Sequence, residues 1–593
     1  MLTDLQLLHR MALPLAVAFL VTAVATPVMI GVAHRLGWVA RPRADRWHSR
    51  PTALSGGIAL FAGTLAGWAA VGSVGQLDAI ALPAIAMFLL GLVDDRLRLR
   101  PHVKFIGQVA AVAALILGGV RFQALPSVIA LPLTFVWVIG ITNAINLLDN
   151  MDGLAAGVSA ISAVTMAIFS LTQGSGEMAA TSLALAGACA AFLIYNFQPA
   201  RIFMGDCGSM FLGFSLASLA VLGTYRSAPN LALSLFVPVA ILAVPIFDTA
   251  LVSIVRTLHG RPISLGGRDH SSHRLVALGL SERSTVLLFY GLSALFGALA
   301  LATVRLPLLT VGLVAAVLSL VLVALGIYLG LIRVYPAGQD PPARVLVLRG
   351  ALLGKKQLLQ VMIDAVLVPI ALVGAHLLRF EGELPATLRA RIVEVLPLVL
   401  AAKLIGLGVC RAHRGVWRYA GMGDVLAAGA GSLAGSVLSV GAVALFLGLE
   451  GHSRVVWIID FILFTVLTIA ARTGYLALHH LFSLLAPRQG PRVLILGIGP
   501  ECLALIRRLR DPLEGDRACI VGILSDDRSA HRRALNGVPV LGSLADLVDV
   551  VREAAPVRCV LGVSPSSAEG KRIRRHCQQN GIDLALDLDE VLG

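Results

Sequence analysis

The sequence predicts a polytopic α-helical membrane protein that ends in a small α/β domain. Of its 593 residues, 57% are hydrophobic and 14% are charged. Apolar runs close to the ~20 residues needed to cross a bilayer recur along most of the chain. Beyond residue 486, short apolar strands alternate with helical stretches, which is typical of an α/β domain.

Eleven spans are predicted in a first membrane block. The fourth run is the shortest of them. The spans are 13–33, 55–74, 77–93, 105–117, 127–147, 155–171, 179–195, 210–225, 231–254, 286–304 and 308–331.

Basic residues determine the predicted orientation, because Lys and Arg that flank spans are retained in the cytoplasm. With the N-terminus outside, the inner loops contain the basic groups at 35–50, 96–104 and 256–283, and the outer loops contain Arg121, Arg226 and Arg305. The first apolar run is predicted to be a retained helix. Cleavage after the signal-like Ala23-Val24-Ala25 would displace the arginine-rich first loop.

Six acids lie at the ends of apolar segments, all at the face predicted to be cytoplasmic. An Asp at the centre of a spanning helix costs about 2.5 to 3.5 kcal/mol, so such acids are retained where they share a wet, functional place. A single one is as readily explained as a solvated helix end. Their joint occurrence predicts a common site. The six are Asp94, Asp95, Asp149, Asp152, Asp206 and Asp248.

A magnesium site would account for neighbouring carboxylates. Two like charges about 4 Å apart repel by about 4 kcal/mol at an effective dielectric constant of about 20, and a cation relieves that repulsion. Mg²⁺ bound by one or two carboxylates and by phosphate oxygens also positions phosphates that are to react.

Several short motifs follow one another along residues 1–335. They are Pro51-Thr52, Gly56-Gly57-Ile58, Val93-Asp94-Asp95, Lys104 with Gln108, N-A-I-N-L-L-D-N-M-D-G at 143–153, F-M-G-D-C-G-S at 203–209 and P-I-F-D-T at 245–249. This set resembles the polyprenyl-phosphate N-acetylhexosamine-1-phosphate transferases, the glycosyltransferase family 4 enzymes that include WecA, TagO and MraY.

The resemblance implies a reaction. An N-acetylhexosamine 1-phosphate would pass from a UDP-sugar to undecaprenyl phosphate, with release of UMP and with Mg²⁺, or Mn²⁺ in its place, as cofactor. This step would start the synthesis of a lipid-linked cell-envelope polysaccharide. The loop R-D-H-S-S-H-R-L at 268–275 is more similar to the histidine motif of WecA and TagO than to that of MraY, which favours UDP-GlcNAc.

Four acids are the candidate catalytic carboxylates. Asp206 is the first candidate for a metal ligand, because its glycine-flanked turn lets substrate approach the backbone. Asp94 and Asp95 are candidates for deprotonating the lipid phosphate or for completing the metal site, and the sequence leaves the order of these roles open. Asp149 is a candidate contact to the metal or the pyrophosphate.

The resemblance also assigns residues to substrate. Asp152, Asn196 and Phe203 align with positions that hold the uridine, with Phe203 stacked on the base; ordinary packing is the alternative for Phe203. Lys104 would attract the lipid phosphate, or would be an anchor at the inner membrane surface. The full set is Thr52, Lys104, Asn146, Asp152, Asn196 and Phe203.

The histidine loop departs from the family pattern. The related enzymes contain an H-x-H-H run, and this sequence has Ser272 at the middle histidine. His270 and His273 remain as candidate catalytic residues that would contact the diphosphate as cations or hydrogen-bond donors; a surface loop histidine is the alternative. The departure bears on efficiency or substrate preference more than on the class of reaction.

A second membrane block follows a linker marked by proline and glycine. Its four predicted spans are 361–378, 392–410, 425–449 and 455–481. Leu378-Arg379-Phe380 and R-G-V-W-R-Y at 414–419 resemble the membrane region of CapD- and PglF-type polysaccharide biosynthesis proteins. The chain thus divides into a transferase domain at 1–335, a linker at 336–359, a four-helix membrane domain at 360–486 and a Rossmann-like domain at 487–593.

The Rossmann-like domain has predicted strands at 492–496, 518–524 and 558–563. Gly497-Ile-Gly499 follows the first strand, where a turn could bind a nucleotide phosphate. Cys502 stands where a third glycine is expected, so a structural turn is favoured over a cofactor site. Asp526 or Asp527 would meet a ribose or end a strand.

The CapD- and PglF-type proteins are sugar-nucleotide dehydratases, and the resemblance implies that their chemistry uses a Tyr and Lys pair. The last tyrosine of this chain, Tyr475, lies in the second membrane block, so the C-terminal domain is not expected to catalyse that reaction in the same way. Regulation, protein contact or sugar-nucleotide sensing is the remaining hypothesis. The seven cysteines show no close metal-type pairing, so free thiols are expected and no zinc site is proposed.

Two other classes of function stay open: a transporter, and a catalytically lapsed scaffold or sugar-nucleotide-sensing regulator of polysaccharide assembly. A transporter should place its ionisable residues near the bilayer midplane around broken helices.

The predicted location is the bacterial inner membrane, with the active site and the C-terminus in the cytoplasm. The predicted partners are a UDP-sugar, undecaprenyl phosphate, the lipid bilayer, a second copy of the chain and polysaccharide-assembly proteins. The net charge of +14 is explained by topology and by headgroup or phosphate contact, and nucleic acid is not expected.

Overall fold

A computed structural model gives the fold over most of the chain. It describes residues 4–40, 51–72, 75–225, 231–258, 260–262, 267, 269–330, 332, 356–380, 384–413, 422–485, 492–510, 519–527, 530–531, 533–535, 537–554 and 557–585. Arg268, part of the predicted histidine loop, lies outside these residues. So does the predicted linker 336–359, apart from its last four residues.

The first membrane block is a bundle of helices at the predicted positions. Its helices are α1 (Asp4–Arg35), α2 (Gly57–Val71), α3 (Gly75–Leu97), α4 (Pro101–Leu117), α5 (Ser127–Leu148), α6 (Leu154–Thr172), α7 (Gly176–Asn196), α8 (Gly205–Tyr225), α9 (Leu231–Ile241), α10 (Ala243–Leu258), α11 (Ser271–Ala277), α12 (Glu282–Ala302) and α13 (Leu308–Gly330). Helix α8 lies at the centre, and residues 207–222 are all buried. A helix that is apolar on every side is expected in the core of a bundle.

The second membrane block contains four helices. They are α14 (Lys356–Arg379), α15 (Ala386–Val409), α16 (Met422–Phe446) and α17 (Arg454–Leu485). Among the described residues of both blocks, twelve helices are long and apolar enough to cross a membrane, or thirteen when α9 and α10 count as one bent span. With the shorter helices α2 and α4, these correspond to the eleven and four spans that the sequence predicts, so the predicted fold class is confirmed.

The ninth predicted span is not one straight helix. It breaks between α9 and α10, which meet at an angle of 77°. Pro245, in the first turn of α10, has no N–H to donate to the carbonyl of Ile241, so the helical hydrogen-bond ladder is interrupted there. The predicted span at 231–254 therefore contains a bend that the sequence analysis did not predict.

A small sheet was not predicted. Strand β1 (Val39–Ala40) pairs antiparallel with β2 (Thr52–Ala53), and Ala53 also forms a parallel bridge with Ile202. The N–H groups of Gly56 and Gly57 then donate to the carbonyls of Phe203 and Met204. These contacts join the start of α2 to the turn that precedes α8.

The two membrane blocks pack together within one compact unit. Leu313 and Leu320 of α13 pack against the buried cluster around Leu367 and Val395 of the second block. The α/β domain that follows α17 belongs to a separate unit.

Charged side chains are buried inside the second block. The Nζ of Lys403 on α15 lies 2.6 Å from the Oδ2 of Asp460 on α17 and 4.2 Å from the centroid of the Phe464 ring. Arg472 of α17 donates two hydrogen bonds, of 2.8 and 2.6 Å, to the carboxylate of Asp364 on α14. Charges in a bilayer are tolerated where they pair inside a bundle, so these pairs tie α17 to two neighbouring helices.

The α/β domain contains a six-stranded sheet. Its strands are β3 (Arg492–Leu496), β4 (Cys519–Leu524), β5 (Ala534–Leu535), β6 (Val538–Gly542), β7 (Val557–Leu561) and β8 (Leu584–Ala585), and its helices are α18 (Pro500–Arg510), α19 (Leu547–Ala554) and α20 (Ala568–Gln579). The strand order is β5-β6-β4-β3-β7-β8, parallel except for β5. From β3 the chain adds β4 and β6 on one side of the sheet, and it then returns to add β7 and β8 on the other side of β3. This is the arrangement of a Rossmann-like fold, so the prediction of a Rossmann-like domain is confirmed.

We expect the Lys403→Met variant to lose about 3 to 5 kcal/mol of unfolding free energy, because Asp460 is then left buried without its counter-ion. The double variant Lys403→Met/Asp460→Leu should recover most of this loss. The measurement is unfolding of the purified protein in detergent micelles, followed by circular dichroism. Equal stability of the single variant and the unaltered protein would contradict the prediction.

Candidate active site

Asp206 lies at the start of the central helix. Gly205 adopts a left-handed conformation, with φ of +75°, and turns the chain into α8. The Oδ2 of Asp206 lies 2.7 Å from the Nζ of Lys104, and its Oδ1 accepts a hydrogen bond of 2.9 Å from Asn146. The Asp206 side chain is 35% exposed, so its carboxylate can be reached by a ligand.

Lys104 joins two carboxylates. Its ammonium lies 2.5 Å from the Oδ2 of Asp94 as well as 2.7 Å from Asp206. Asp94 also accepts the backbone N–H of Leu99 at 2.8 Å. Helices α3, α4 and α8 therefore meet at one ion-pair cluster.

Asp95 has a different environment from its neighbour. Its Oδ1 accepts the backbone N–H of Asp206 at 2.8 Å, and its Oδ2 accepts the backbone N–H of Cys207 at 3.1 Å. In this structure both oxygens of Asp95 are thus bound to the first turn of α8.

A reciprocal amide pair holds α4 against α5. Gln108 and Asn143 exchange two hydrogen bonds, of 3.1 and 3.0 Å. Gln108 lies one turn beyond Lys104 on α4, and Asn143 lies one turn before Asn146 on α5. By fixing these two helices against each other, the amide pair directs the side chains of Lys104 and Asn146 toward Asp206. Sequence analysis quoted both residues within motifs but assigned no role to the pair. Asn146 donates a further hydrogen bond of 2.8 Å to the hydroxyl of Ser209.

Asp149 ends α5 beside the other acids. Burial is the main cause that raises the pKa of Asp149 from 3.8 to about 7, and the nearby charges of Asp206, Asp152 and Asp95 raise it further. This acid therefore gives up its proton near neutral pH in the absence of a cation.

Three residues predicted to contact uridine meet around the turn between α7 and α8, which Asp152 reaches from the loop between α5 and α6. Asn196 is 2% exposed; its amide accepts the N–H of Gly153 at 3.1 Å and donates to the carbonyl of Ile202 at 2.8 Å. Asp152 accepts the N–H of Ala200 at 2.9 Å. Phe203 is partly buried, and its backbone N–H donates to Ala53, next to the buried Thr52. Asp152 and Asn196 thereby hold the chain that leads to Asp206.

The histidine loop is bound to a buried acid. Asp248, on α10, is fully buried and lies 2.8 Å from the Nδ1 of His270. It also accepts hydrogen bonds from the backbone N–H and the hydroxyl of Ser271. His270 and His273 are 3% and 6% exposed, so neither is a surface histidine in this structure. Sequence analysis counted Asp248 among six acids but missed its role as the partner of His270.

Ser272, the departure from the family pattern, makes a specific contact. Its hydroxyl donates a hydrogen bond of 2.6 Å to the side-chain carbonyl of Asn150. Asn150 follows Asp149, so this bond links the histidine loop to the end of α5. The predicted convergence is thus seen in the structure: Asp94, Asp95, Asp149 and Asp206 are close together, whereas Asp152 and Asp248 hold adjacent loops.

The first membrane block matches a described family. Residues 78–224 match the model of glycosyl transferase family 4. A probable undecaprenyl-phosphate N-acetylglucosaminyl 1-phosphate transferase of Bacillus subtilis (strain 168) is 38% identical over 299 residues, which cover 83% of that protein and 48% of this chain. The chain belongs to glycosyl transferase family 4.

Two further relatives align with part of the chain. The decaprenyl-phosphate N-acetylglucosaminephosphotransferase of Mycobacterium tuberculosis (strain ATCC 25618 / H37Rv) is 34% identical over 325 residues, covering 80% of that protein and 48% of this chain. The phospho-N-acetylmuramoyl-pentapeptide-transferase of Moorella thermoacetica (strain ATCC 39073 / JCM 9320) is 34% identical over 241 residues, covering 74% of that protein and 35% of this chain.

This member of glycosyl transferase family 4 has a second match near its C-terminus. Residues 407–579 match the model of a CoA-binding domain, which extends from the end of α15 into α20. The match supports the resemblance of this region to CapD- and PglF-type proteins.

The glycine turn of the α/β domain is closely packed. Gly497 has φ of +92°, and a Cβ there would lie 2.8 Å from a methyl group of Val563; a Cβ on Gly499 would lie 3.1 Å from the Oε2 of Glu501. Pro500 begins α18 without an N–H, and the N–H of Cys502 donates to the carbonyl of Gly562. Its positive φ and close packing account for Gly497, and nucleotide binding at this turn stays a prediction.

The acids after β4 have internal partners. Asp526 accepts the N–H of Leu544 at 3.0 Å and forms an ion pair with Arg572. A ribose at this position would have to compete with the pair.

We expect the Asp149→Asn variant to change the pH dependence of stability. The folded protein binds the Asp149 proton more tightly than the unfolded chain, so the stability that this acid contributes is complete below about pH 4 and is lost as the pH rises through about 7. Asparagine does not titrate, so the Asp149→Asn variant does not lose this stability as the pH rises. The melting temperature of the variant minus that of the unaltered protein, measured with EDTA from pH 4.5 to 8.5, should rise and then level off; a flat difference would contradict the assignment.

Proposed function

We propose that this protein transfers GlcNAc 1-phosphate from UDP-GlcNAc to undecaprenyl phosphate and releases UMP. The observation that carries the proposal is the Lys104 ammonium between Asp94 and Asp206, at the first turn of the central helix. This cluster lies within residues 78–224, which match the model of glycosyl transferase family 4.

The cluster suits a reaction between two phosphates. Joining two anions is chiefly a problem of positioning and of charge neutralisation. Lys104 is 20% exposed, and we propose that its ammonium also attracts the incoming lipid phosphate. We infer that Asp94, which binds the same ammonium, accepts a proton from the lipid phosphate.

The residues present fit a bound Mg²⁺. The described residues include no group of three or more His, Cys, Asp or Glu side chains that could hold a metal alone. Mg²⁺ commonly uses one or two carboxylates and completes its coordination with substrate phosphates and water. Asp206, with its exposed carboxylate, would hold the ion together with phosphate oxygens and water, and the ion would neutralise charge on the phosphates.

We infer that His270 contacts the diphosphate through its Nε2, because Asp248 occupies its Nδ1. Since His270 is 3% exposed, this contact requires the histidine loop to move when substrate binds. Asp248 thereby acts through His270, and the contact of Ser272 with Asn150 holds the loop beside the acids.

Two kinds of relative bear on the sugar. The Bacillus subtilis relative, whose name specifies N-acetylglucosamine, is 38% identical to this chain over the aligned residues. The Moorella thermoacetica relative, named for a muramoyl-pentapeptide substrate, is 34% identical. The higher identity favours GlcNAc as the sugar. We place the reaction at the cytoplasmic face of the bacterial inner membrane, which the basic loops favour.

The test is UMP release by the purified protein supplied with undecaprenyl phosphate, Mg²⁺ and either UDP-GlcNAc or UDP-GalNAc. We expect UMP with UDP-GlcNAc, and a loss of at least 100-fold in kcat for Asp206→Asn, because the exposed carboxylate is the main contact to the cation. Asp78→Asn is the matched control, since Asp78 is an exposed acid at the opposite end of α3. Absence of UMP from folded protein with either sugar would count against the proposal.

The metal requirement is tested separately. Treatment with EDTA should abolish UMP release, and Mg²⁺ or Mn²⁺ should restore it, whereas Ca²⁺ should restore it poorly because its longer bonds suit a looser oxygen cage. Full activity in excess EDTA would contradict a divalent cation at Asp206.

A further inference from the structure

The adjacent acids Asp94 and Asp95 face different partners. Successive residues on a helix point about 100° apart, so two neighbours seldom serve one ligand. The Oδ2 of Asp94 lies 2.5 Å from the ammonium of Lys104. Both oxygens of Asp95 instead accept backbone N–H groups, from Asp206 and Cys207.

The N–H groups bound to Asp95 belong to the first turn of α8. The first four N–H groups of a helix have no partner within it, and a side-chain acceptor usually satisfies one or two of them. Gly205, the first residue of α8, has no side chain to do so. Asp95 supplies the acceptor from another helix, and its negative charge is favourable at the positive end of α8.

The contact between α3 and α8 is built closely around this cap. A Cβ on Gly205 would lie 2.8 Å from the Oδ2 of Asp95. A Cβ on Gly91, one turn earlier on α3, would lie 2.5 Å from the carbonyl oxygen of Asp206 and 2.6 Å from the Cα of Cys207. Two glycines, one from each helix, thus allow Asp95 to reach the backbone of α8.

We propose that Asp95 is a positioning residue that caps α8 and thereby sets the direction of the Asp206 carboxylate, while Asp94 is the acid that faces the reacting phosphates. The part of this assignment that concerns the reaction rests on the proposed function. The cap itself does not, because it is a contact between a side chain and the backbone in the substrate-free protein.

The first measurement uses no substrate. Hydrogen exchange of the full-length protein in detergent is followed by mass spectrometry over peptides that cover 203–212, for Asp95→Ala and for the matched variant Asp94→Ala. We expect at least tenfold faster exchange at the start of α8 in Asp95→Ala and little change there in Asp94→Ala. Equal exchange in the two variants would overturn the cap.

The second measurement uses UMP release and a conservative series. Asp95→Asn and Asp95→Ser each keep an oxygen that can accept one backbone N–H, so we expect them to retain more than a tenth of the activity and to need about tenfold more Mg²⁺ for half-maximal rate. Asp94→Asn should lose at least 100-fold in kcat. If Asp95→Ala does not fold, these conservative variants still test whether Asp95 is a positioning residue.

The pH profile separates positioning from proton transfer. A proton acceptor at Asp95 would make the acidic limb of the kcat profile disappear in Asp95→Asn, whereas a positioning residue leaves that limb in place. Loss of all activity in Asp95→Asn with unchanged exchange over 203–212 would overturn the proposal. If the unaltered protein releases no UMP, the proposed reaction fails, but the exchange comparison still tests the cap.

Discussion

The ammonium of Lys104 lies between carboxylates from two different helices, and the ends of four helices are arranged around that contact. Asp94 comes from α3, Lys104 from α4 and Asp206 from α8. Asn146 of α5 binds the second oxygen of Asp206. Each charge requires a partner in a protein surrounded by lipid, so the positions of these helix ends are mutually dependent.

Backbone contacts also hold the helices of this cluster together. A Cβ on Gly57 would lie 2.3 Å from the backbone nitrogen of Gly208, so α2 and α8 touch without intervening side chains. The small sheet at Ala53 and Ile202 then ties the loop before α2 to the turn before α8. This packing brings together residues that are predicted to bind substrate and that lie far apart in the sequence.

Charged side chains are also paired in the second membrane block, but there the pair is closed off from solvent. Lys403 and Asp460 are both almost fully buried, and their pair joins α15 to α17. The Asp206 carboxylate of the first block is 35% exposed. A charge that is closed off by its partner stabilises the bundle, whereas one that stays open to solvent can exchange its partner for a ligand.

How much the sequence could predict depended on the range of the interaction concerned. The spans and the family were predictable, because hydropathy and short motifs are local properties of the chain. The break at Pro245 was missed, since a proline in an apolar run is compatible with either a kinked or a straight span. The strands β1 and β2 were missed because two-residue strands show no periodic pattern.

The sequence by itself determined that this is a membrane protein of many spans, that acids collect at one face and that an α/β domain follows. Tertiary structure alone decided which of Asp94 and Asp95 meets Lys104, that Asp248 binds His270, and that Gln108 and Asn143 set two site residues. These decisions depend on the rotation of each helix about its axis. That rotation is set by contacts with helices distant in sequence, and no local pattern records it.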